Sequence, residues 1–171
     1  MILPKVRDPR FITVRRGGTL SDDDHHRLAI WAADCVEHVL DLFEVERPDD
    51  DRPRRALELV RAWTRGEVPM TVCHTFAFQA NAAGRAVTGA AREVGLAAGQ
   101  AVAVAHVAAH ELGAAAYAIR AVRAAATKGD RLAAGRLECS WQRDQLPSEI
   151  RELVLDDQRL RNELCWNVFD C

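Results

Sequence analysis

Apolar residues at alternating gaps of three and four positions are the feature that most limits how this chain can fold. Between residues 73 and 94 one such stripe is unbroken: Cys73, Phe76, Ala80, Ala83, Val87, Ala90 and Val94. This spacing places every member on one face of an α-helix. No stretch alternates strictly between apolar and polar residues, and no β-α-β rhythm is present. We therefore predict an all-α fold.

The same spacing, with turn and capping residues, divides the chain into elements. Helices are predicted over 21–43, 53–66, 71–94 and 97–127, followed by shorter ones that begin near Asp130 and Pro147 and a last one over 156–169. Gly84 and Gly89 inside the third helix predict close helix packing, and Gly95 with Gly99 predicts a corner. With 49% hydrophobic residues, the chain can bury one core. The prediction is a single bundle of about six or seven helices over 21–171, preceded by an irregular basic arm over 1–20.

Charge is distributed unevenly along the chain. The net charge of −2 argues against a dedicated nucleic-acid binder. The arm is basic through Lys5, Arg7, Arg10, Arg15 and Arg16, whereas the end of the first helix and the linker after it are acidic. Acidic clusters can steer a basic partner, although a solvated linker is the alternative. The candidate partner-binding residues are Glu44, Glu46, Asp49, Asp50 and Asp51.

Several features bear on the compartment. The first ten residues contain no apolar core and no small-residue cleavage site, so we expect no signal peptide. No run approaches the roughly 18 apolar residues of a membrane span. The five cysteines are odd in number and widely spaced, which predicts reduced thiols. We therefore expect a cytoplasmic protein that does not contact a membrane.

Two histidines in the apolar stretch AVAVAHVAAHELGAAAYA (101–118) form the strongest candidate site. His106 and His110 lie four residues apart, so on a helix they point the same way and could share a divalent transition metal. A metal site needs at least a third donor, and the candidates are His74, His38, Asp34, Cys73 and Cys139. The alternative is a pair of neutral, hydrogen-bonded histidines in a buried helix, with no cofactor.

Other motifs give weaker signals. Asp34 and His38 could form a charge-assisted pair across one helical turn. The Arg15-Arg16-Gly17-Gly18 segment could bind phosphate, or it could simply dock the arm on the bundle. The chain lacks a Walker A motif, a G-x-S-x-G motif, paired C-x-x-C motifs and a dinucleotide-binding glycine fingerprint. The residues therefore identify no catalytic group.

Four segments together resemble a known family: 15–44, 52–63, 101–122 and 141–157, which include RRGGTLSDDDHHRLAIWAADCVEHVLDLFE and WQRDQLPSEIRELVLDD. They are similar to bacterial immunity proteins of the Imm-5-like type, helical domains of polymorphic toxin systems. The resemblance implies a non-enzymatic binder that neutralises a cognate protein toxin, and it carries over no active residues. Two alternatives stay open. One is a metal-dependent helical-bundle enzyme or metal-binding protein that uses His106 and His110, and the other is an oligomer, such as a homodimer, built on the Cys73–Val94 stripe.

Overall fold

The computed structural model describes residues 3–171, so Met1 and Ile2 of the predicted arm lie outside the described residues. In the described part, eight α-helices account for the fold, and the all-α prediction is confirmed. They are α1 (Asp22–Glu37), α2 (Asp41–Glu44), α3 (Arg52–Thr64), α4 (Met70–Arg85), α5 (Gly89–Ala103), α6 (Glu111–Ala125), α7 (Arg131–Asp144) and α8 (Ser148–Arg161). None of these helices is long and apolar enough to cross a membrane.

From residue 3 to the start of α1, the chain has no helix longer than a single 3-10 turn. This segment contains two such turns, Pro9–Phe11 and Val14–Arg16, and an isolated bridge joins Thr13 and Leu20 on either side of the second one. Phe11 and Leu20 are buried, so this arm is packed onto the bundle at both places. α1 then begins with a capping interaction in which the Asp24 amide donates to Ser21 Oγ at 3.0 Å.

Helix α5 lies at the centre of the bundle, with α4 and α6 packed most extensively against it. Its small side chains let the neighbouring backbones come close. A Cβ on Gly95 would stand 2.5 Å from the Cα of Gly84, so these two glycines mark a direct backbone contact between α4 and α5. Close packing at Gly84 agrees with the prediction, whereas the predicted corner at Gly95 and Gly99 is wrong because both residues lie within α5.

The predicted helix over 71–94 is interrupted. α4 ends at Arg85, and α5 begins at Gly89, whose φ of +58° is a left-handed conformation that glycine adopts without steric cost. The apolar stripe nevertheless stays buried at Cys73, Ala83 and Val94. Most of the stripe packs inside the monomer, and the oligomer built on it stays a prediction.

The predicted helix over 97–127 is also wrong as a continuous element. α5 ends at Ala103, Val107 is extended at φ −141° and ψ 106°, and α6 begins only at Glu111 after a single 3-10 turn. The backbone carbonyls released by this break are bound by side chains from three other segments. His25 Nε2 donates to the oxygen of Val104 at 2.7 Å, Arg16 to that of His106 at 3.3 Å and Arg161 to that of Ala109 at 3.0 Å. These long-range hydrogen bonds supply donors to backbone oxygens that have no helical partner at the interruption.

The last part of the chain reverses direction instead of forming the helix predicted over 156–169. α8 ends at Arg161, and Trp166 and Asn167 have φ of 57° and 54°. This reversal brings Cys171 to Cys139, and the two form a disulfide. The prediction of five reduced thiols is therefore wrong for this pair. The two cysteines are 32 residues apart, and no local sequence pattern indicates that the chain would fold back onto α7.

Candidate functional site

A cavity of about 450 Å³ lies between the arm and the bundle. The arm supplies one wall, α1 and α3 supply His25 and Trp63, and the break between α5 and α6 supplies another wall. Its lining consists of Arg7, Phe11, Ile12, Thr13, Arg15, Arg16, His25, Trp63, Met70, Ala105, His106, Val107 and Ala108. The cavity thus exists because the arm folds back over the interrupted helix.

The charged residues that line this cavity are all basic. Three arginines and two histidines contribute to the lining, and no aspartate or glutamate does among the described residues. Arg15 forms an exposed ion pair with Asp22 at 3.0 Å, and Arg16 bonds only to the backbone oxygen of His106. Arg7 has no hydrogen-bond or ion-pair partner within residues 3–171. The cavity therefore carries positive charge that the protein itself neutralises only in part.

The predicted histidine pair is brought together, with ring centroids 5.3 Å apart, although the two residues flank a turn and do not share one helix. His106 lines the cavity, and its buried Nδ1 has no hydrogen-bond partner in the described chain. The His110 Nδ1–H donates to Gln100 Oε1 at 2.8 Å. Burial, with nearby positive charge as a smaller cause, lowers the pKa of each imidazole to about 4. Both histidines are consequently neutral near pH 7.

A third histidine joins this pair, since the ring centroid of His74 lies 4.5 Å from that of His106. Even so, within residues 3–171 no group of three or more histidine, cysteine, aspartate or glutamate side chains is arranged to hold a metal ion. The other proposed donors are engaged elsewhere: the Cys73 thiol donates to the Leu59 carbonyl oxygen, and Cys139 is in the disulfide. Metal binding by His106 and His110 stays a prediction.

The predicted Asp34–His38 pair is replaced by two longer-range contacts. His38 Nδ1 lies 2.8 Å from Glu138 Oε2, and its ring stacks on Trp141 at a centroid distance of 3.7 Å. Asp34 instead accepts from Arg61 at 2.7 Å. His38 therefore pairs with a residue of α7 and Asp34 with a residue of α3, and the two do not pair with each other.

A buried charge cluster was not identified from the sequence. Arg161 on α8 contacts both Asp157 and Glu111, and all three side chains are almost fully shielded from solvent. Burial raises the pKa of the Glu111 carboxyl well above its ordinary value, and Asp157 adds to this effect while Arg161 opposes it. The cluster joins α8 to the start of α6. Its one local signal was the four-residue spacing of Asp157 and Arg161.

The predicted partner-binding residues form a surface over α2 and the linker to α3, here called the acidic surface (Glu44 to Asp51). Two of its five carboxylates are neutralised by arginines from α3. Glu44 accepts two hydrogen bonds from Arg54, at 2.6 and 2.8 Å, and Arg52 lowers the pKa of Asp50 by hydrogen bonding to it. The other three are exposed and have no ion-pair partner in the described chain: Glu46, Asp49 and Asp51.

The acidic surface also has an apolar element. Val45 is 86% exposed and lies between Glu44 and Glu46 in the sequence. Protein interfaces commonly combine an apolar anchor with a charged rim. The surface therefore combines both components of an interface, although the exposed Arg47 reduces its negative charge.

The described residues thus define a small all-α bundle protein with a basic cavity beneath the arm and an acidic surface around α2. A family model described as "Imm-5 like putative immunity protein" matches residues 18–149, and the chain belongs to that family. The matched range includes the acidic surface and both histidines of the predicted pair, whereas the arm up to residue 17 precedes it. No curated protein and no solved structure matches the chain.

Proposed function

We propose that this protein is a non-enzymatic immunity protein that binds and neutralises a cognate protein toxin through its acidic surface. Membership of the immunity protein family supports the general role. The observation that carries the choice of surface is the exposed Val45 close in sequence to three exposed carboxylates, those of Glu46, Asp49 and Asp51, that have no ion-pair partner in the described chain. Such a surface fits a basic partner, because unpaired charges speed encounter and an apolar residue slows dissociation.

The test begins with the genes next to the gene for this chain: a toxin-domain gene there supplies the toxin, and the lack of one beside this gene and its relatives would reject the immunity role. Co-expression of the wild-type protein should restore growth of cells that produce the toxin. The triple variant Glu46→Lys, Asp49→Lys, Asp51→Lys should bind at least about tenfold more weakly and protect less, because each lysine would repel the partner. For the wild type, binding should also weaken as salt is raised.

A matched control separates this effect from a general change in charge. The variant Asp144→Lys, Glu152→Lys, Glu163→Lys changes the net charge by the same amount at three exposed positions outside the acidic surface. We expect it to bind and protect like the wild type. Equal protection by both triple variants would reject the surface, and the absence of protection by the wild type would reject the immunity role.

The proposal includes a cytoplasmic location, which the odd number and wide spacing of the cysteines favoured. The Cys139–Cys171 disulfide weighs against it, because reducing compartments rarely maintain such bonds. Labelling of free thiols in rapidly quenched cells distinguishes a cytoplasmic location from an oxidising compartment. Five accessible thiols after denaturation would support the cytoplasm, and three would indicate an oxidising compartment.

A further inference from the structure

The basic cavity beneath the arm contains chemistry that toxin binding through the acidic surface does not use. The cavity and the acidic surface share no residue, so each can be tested without the other. Arg7, Arg15 and Arg16 approach the cavity from two places along the arm. Their guanidinium groups are suited to bind oxyanions through paired N–H donors.

The cavity arginines have few carboxylate partners in the described chain, since only Arg15 forms an ion pair, with Asp22. Arg7 has no partner within residues 3–171, and Arg16 donates a hydrogen bond only to a backbone oxygen. Elsewhere on this protein, arginines are commonly paired with carboxylates, as Arg120 is with Glu93 at 2.8 Å. All three arginines are exposed, so an anion from solution can reach them and add the negative charge that the lining itself lacks. Because the arginines are several, an anion with more than one negative charge fits better than a single carboxylate.

The remaining lining is apolar and aromatic. Trp63, Met70 and Phe11 line the same cavity as the arginines. Edge-to-face contacts with His25 and His26, at centroid distances of 4.9 and 4.7 Å, hold the Trp63 ring in place. A fixed indole beside guanidinium groups suits a planar group that carries the anion. His106 adds a buried Nδ1 without a partner in the described residues.

We propose that this cavity binds a phosphorylated small molecule with a planar ring, of the nucleoside mono- or diphosphate class. The arginines of the arm would hold the phosphate groups, and Trp63 with Met70 would contact the ring. The volume of about 450 Å³ lies within the usual range for small-molecule sites. The arm would then form one wall of the site, since two of its segments supply the cationic side chains.

Calorimetric titration of the full chain with AMP, ADP, pyrophosphate and adenosine tests this proposal. We expect ADP and AMP to bind with dissociation constants below about 1 mM, pyrophosphate to bind more weakly, and adenosine not to bind. Quenching of tryptophan fluorescence by ADP should disappear in Trp63→Phe, which assigns the signal to the cavity. Binding of adenosine as tight as that of ADP, or no binding by any phosphate compound, would overturn the proposal.

Variants of the arm show whether the positive charge of its arginines is responsible for ADP binding. Arg7→Gln and Arg16→Gln should each weaken ADP binding at least about fivefold, because each removes a charge-assisted hydrogen bond. Arg85→Gln, at an exposed position on α4 outside the cavity, is the matched control and should bind like the wild type. Unfolding temperatures without ligand show that the variants are folded. Equal weakening by all three variants would point to nonspecific attraction and reject the site. If the cavity instead binds an acidic protein segment, ADP should not bind to it, and that result would also reject the proposal.

Discussion

At the scale of single residues, His106 and His110 make stability depend on pH. In the folded protein burial lowers the pKa of both imidazoles to about 4, whereas an unfolded histidine titrates near 6.5. The unfolded state therefore binds protons more readily as the pH falls below 6.5. The stability that these neutral histidines contribute is complete above that value, decreases as the pH falls, and is lost by about pH 4.

The free energy of unfolding should consequently fall by about 1–2 kcal/mol between about pH 7.5 and about pH 5.5, after allowance for partial exposure of the rings. Urea denaturation at the two pH values measures this change. The double variant His106→Gln, His110→Gln should show a smaller pH dependence in this interval than the wild type, and the remainder includes His25, whose pKa burial also lowers. An equal decrease in wild type and double variant would assign the effect to other groups.

The proximity of His106 and His110 was predictable, because four residues of either helix or tight turn keep two side chains together. The hydrogen bonds of His25, Arg16 and Arg161 to the carbonyls around them were not. These side chains come from positions about 50 to 90 residues away in the chain, so no local pattern records them. The cavity shares this property, since the arginines of the arm and Trp63 meet only through the fold.

At the scale of helices, the contact between Gly84 on α4 and Gly95 on α5 sets how closely the centre of the bundle packs. A Cβ added to Gly95 would meet backbone atoms of Gly84 at 2.5 Å, and backbone atoms cannot rotate away as a side chain can. Gly95→Ala should therefore reduce the free energy of unfolding by about 1–3 kcal/mol through overpacking, despite the better helix propensity of alanine.

Gly129→Ala is the matched control for this prediction. An added Cβ at Gly129 meets no atom within 4 Å, so the change in unfolding free energy should stay within about 0.5 kcal/mol. Chemical denaturation of the two variants beside the wild type gives the comparison. If Gly95→Ala is as stable as Gly129→Ala, the helices can move apart at no cost, and the close contact does not determine the packing.

Apolar periodicity identified which residues are buried more reliably than where helices end. The stripe from Cys73 to Val94 is largely buried as predicted, yet the chain turns at Val87 and Thr88 in its middle. The spacing of three and four happens to continue across that turn. Likewise, the alanine-rich stretch around His106 has strong helix propensity, but the hydrogen bonds from His25 and Arg161 stabilise an interruption there.

At the scale of the whole molecule, the unequal charge distribution in the sequence becomes two separate surfaces. The basic arm folds over the break between α5 and α6 and encloses a cavity, while the acidic residues stay exposed around α2. A net charge of −2 conceals this separation, because the positive and negative groups almost cancel. One chain can thus present an acidic surface to a basic protein and a basic cavity to a small anion.

The disulfide between Cys139 and Cys171 makes the end of the described chain part of the same cooperative unit. It closes a loop with a sequence separation of 32 residues, which by loop-closure entropy corresponds to about 4 kcal/mol of stability. The enclosed segment contains α8, which contributes Arg161 and Asp157 to the buried charge cluster. Reducing the bond should therefore destabilise the whole fold as well as the last residues.

Denaturation with and without a reductant measures this contribution. Cys171→Ser should unfold with a free energy about 4 kcal/mol lower than that of the oxidised wild type, and added reductant should lower the stability of the wild type to that of the variant. The variant serves as its own control, because without the disulfide its stability should not respond to reductant. A wild type that is equally stable in both conditions would show that the bond adds nothing to the fold. In that case the packing of α8 and the Arg161 cluster would alone hold the end of the chain on the bundle.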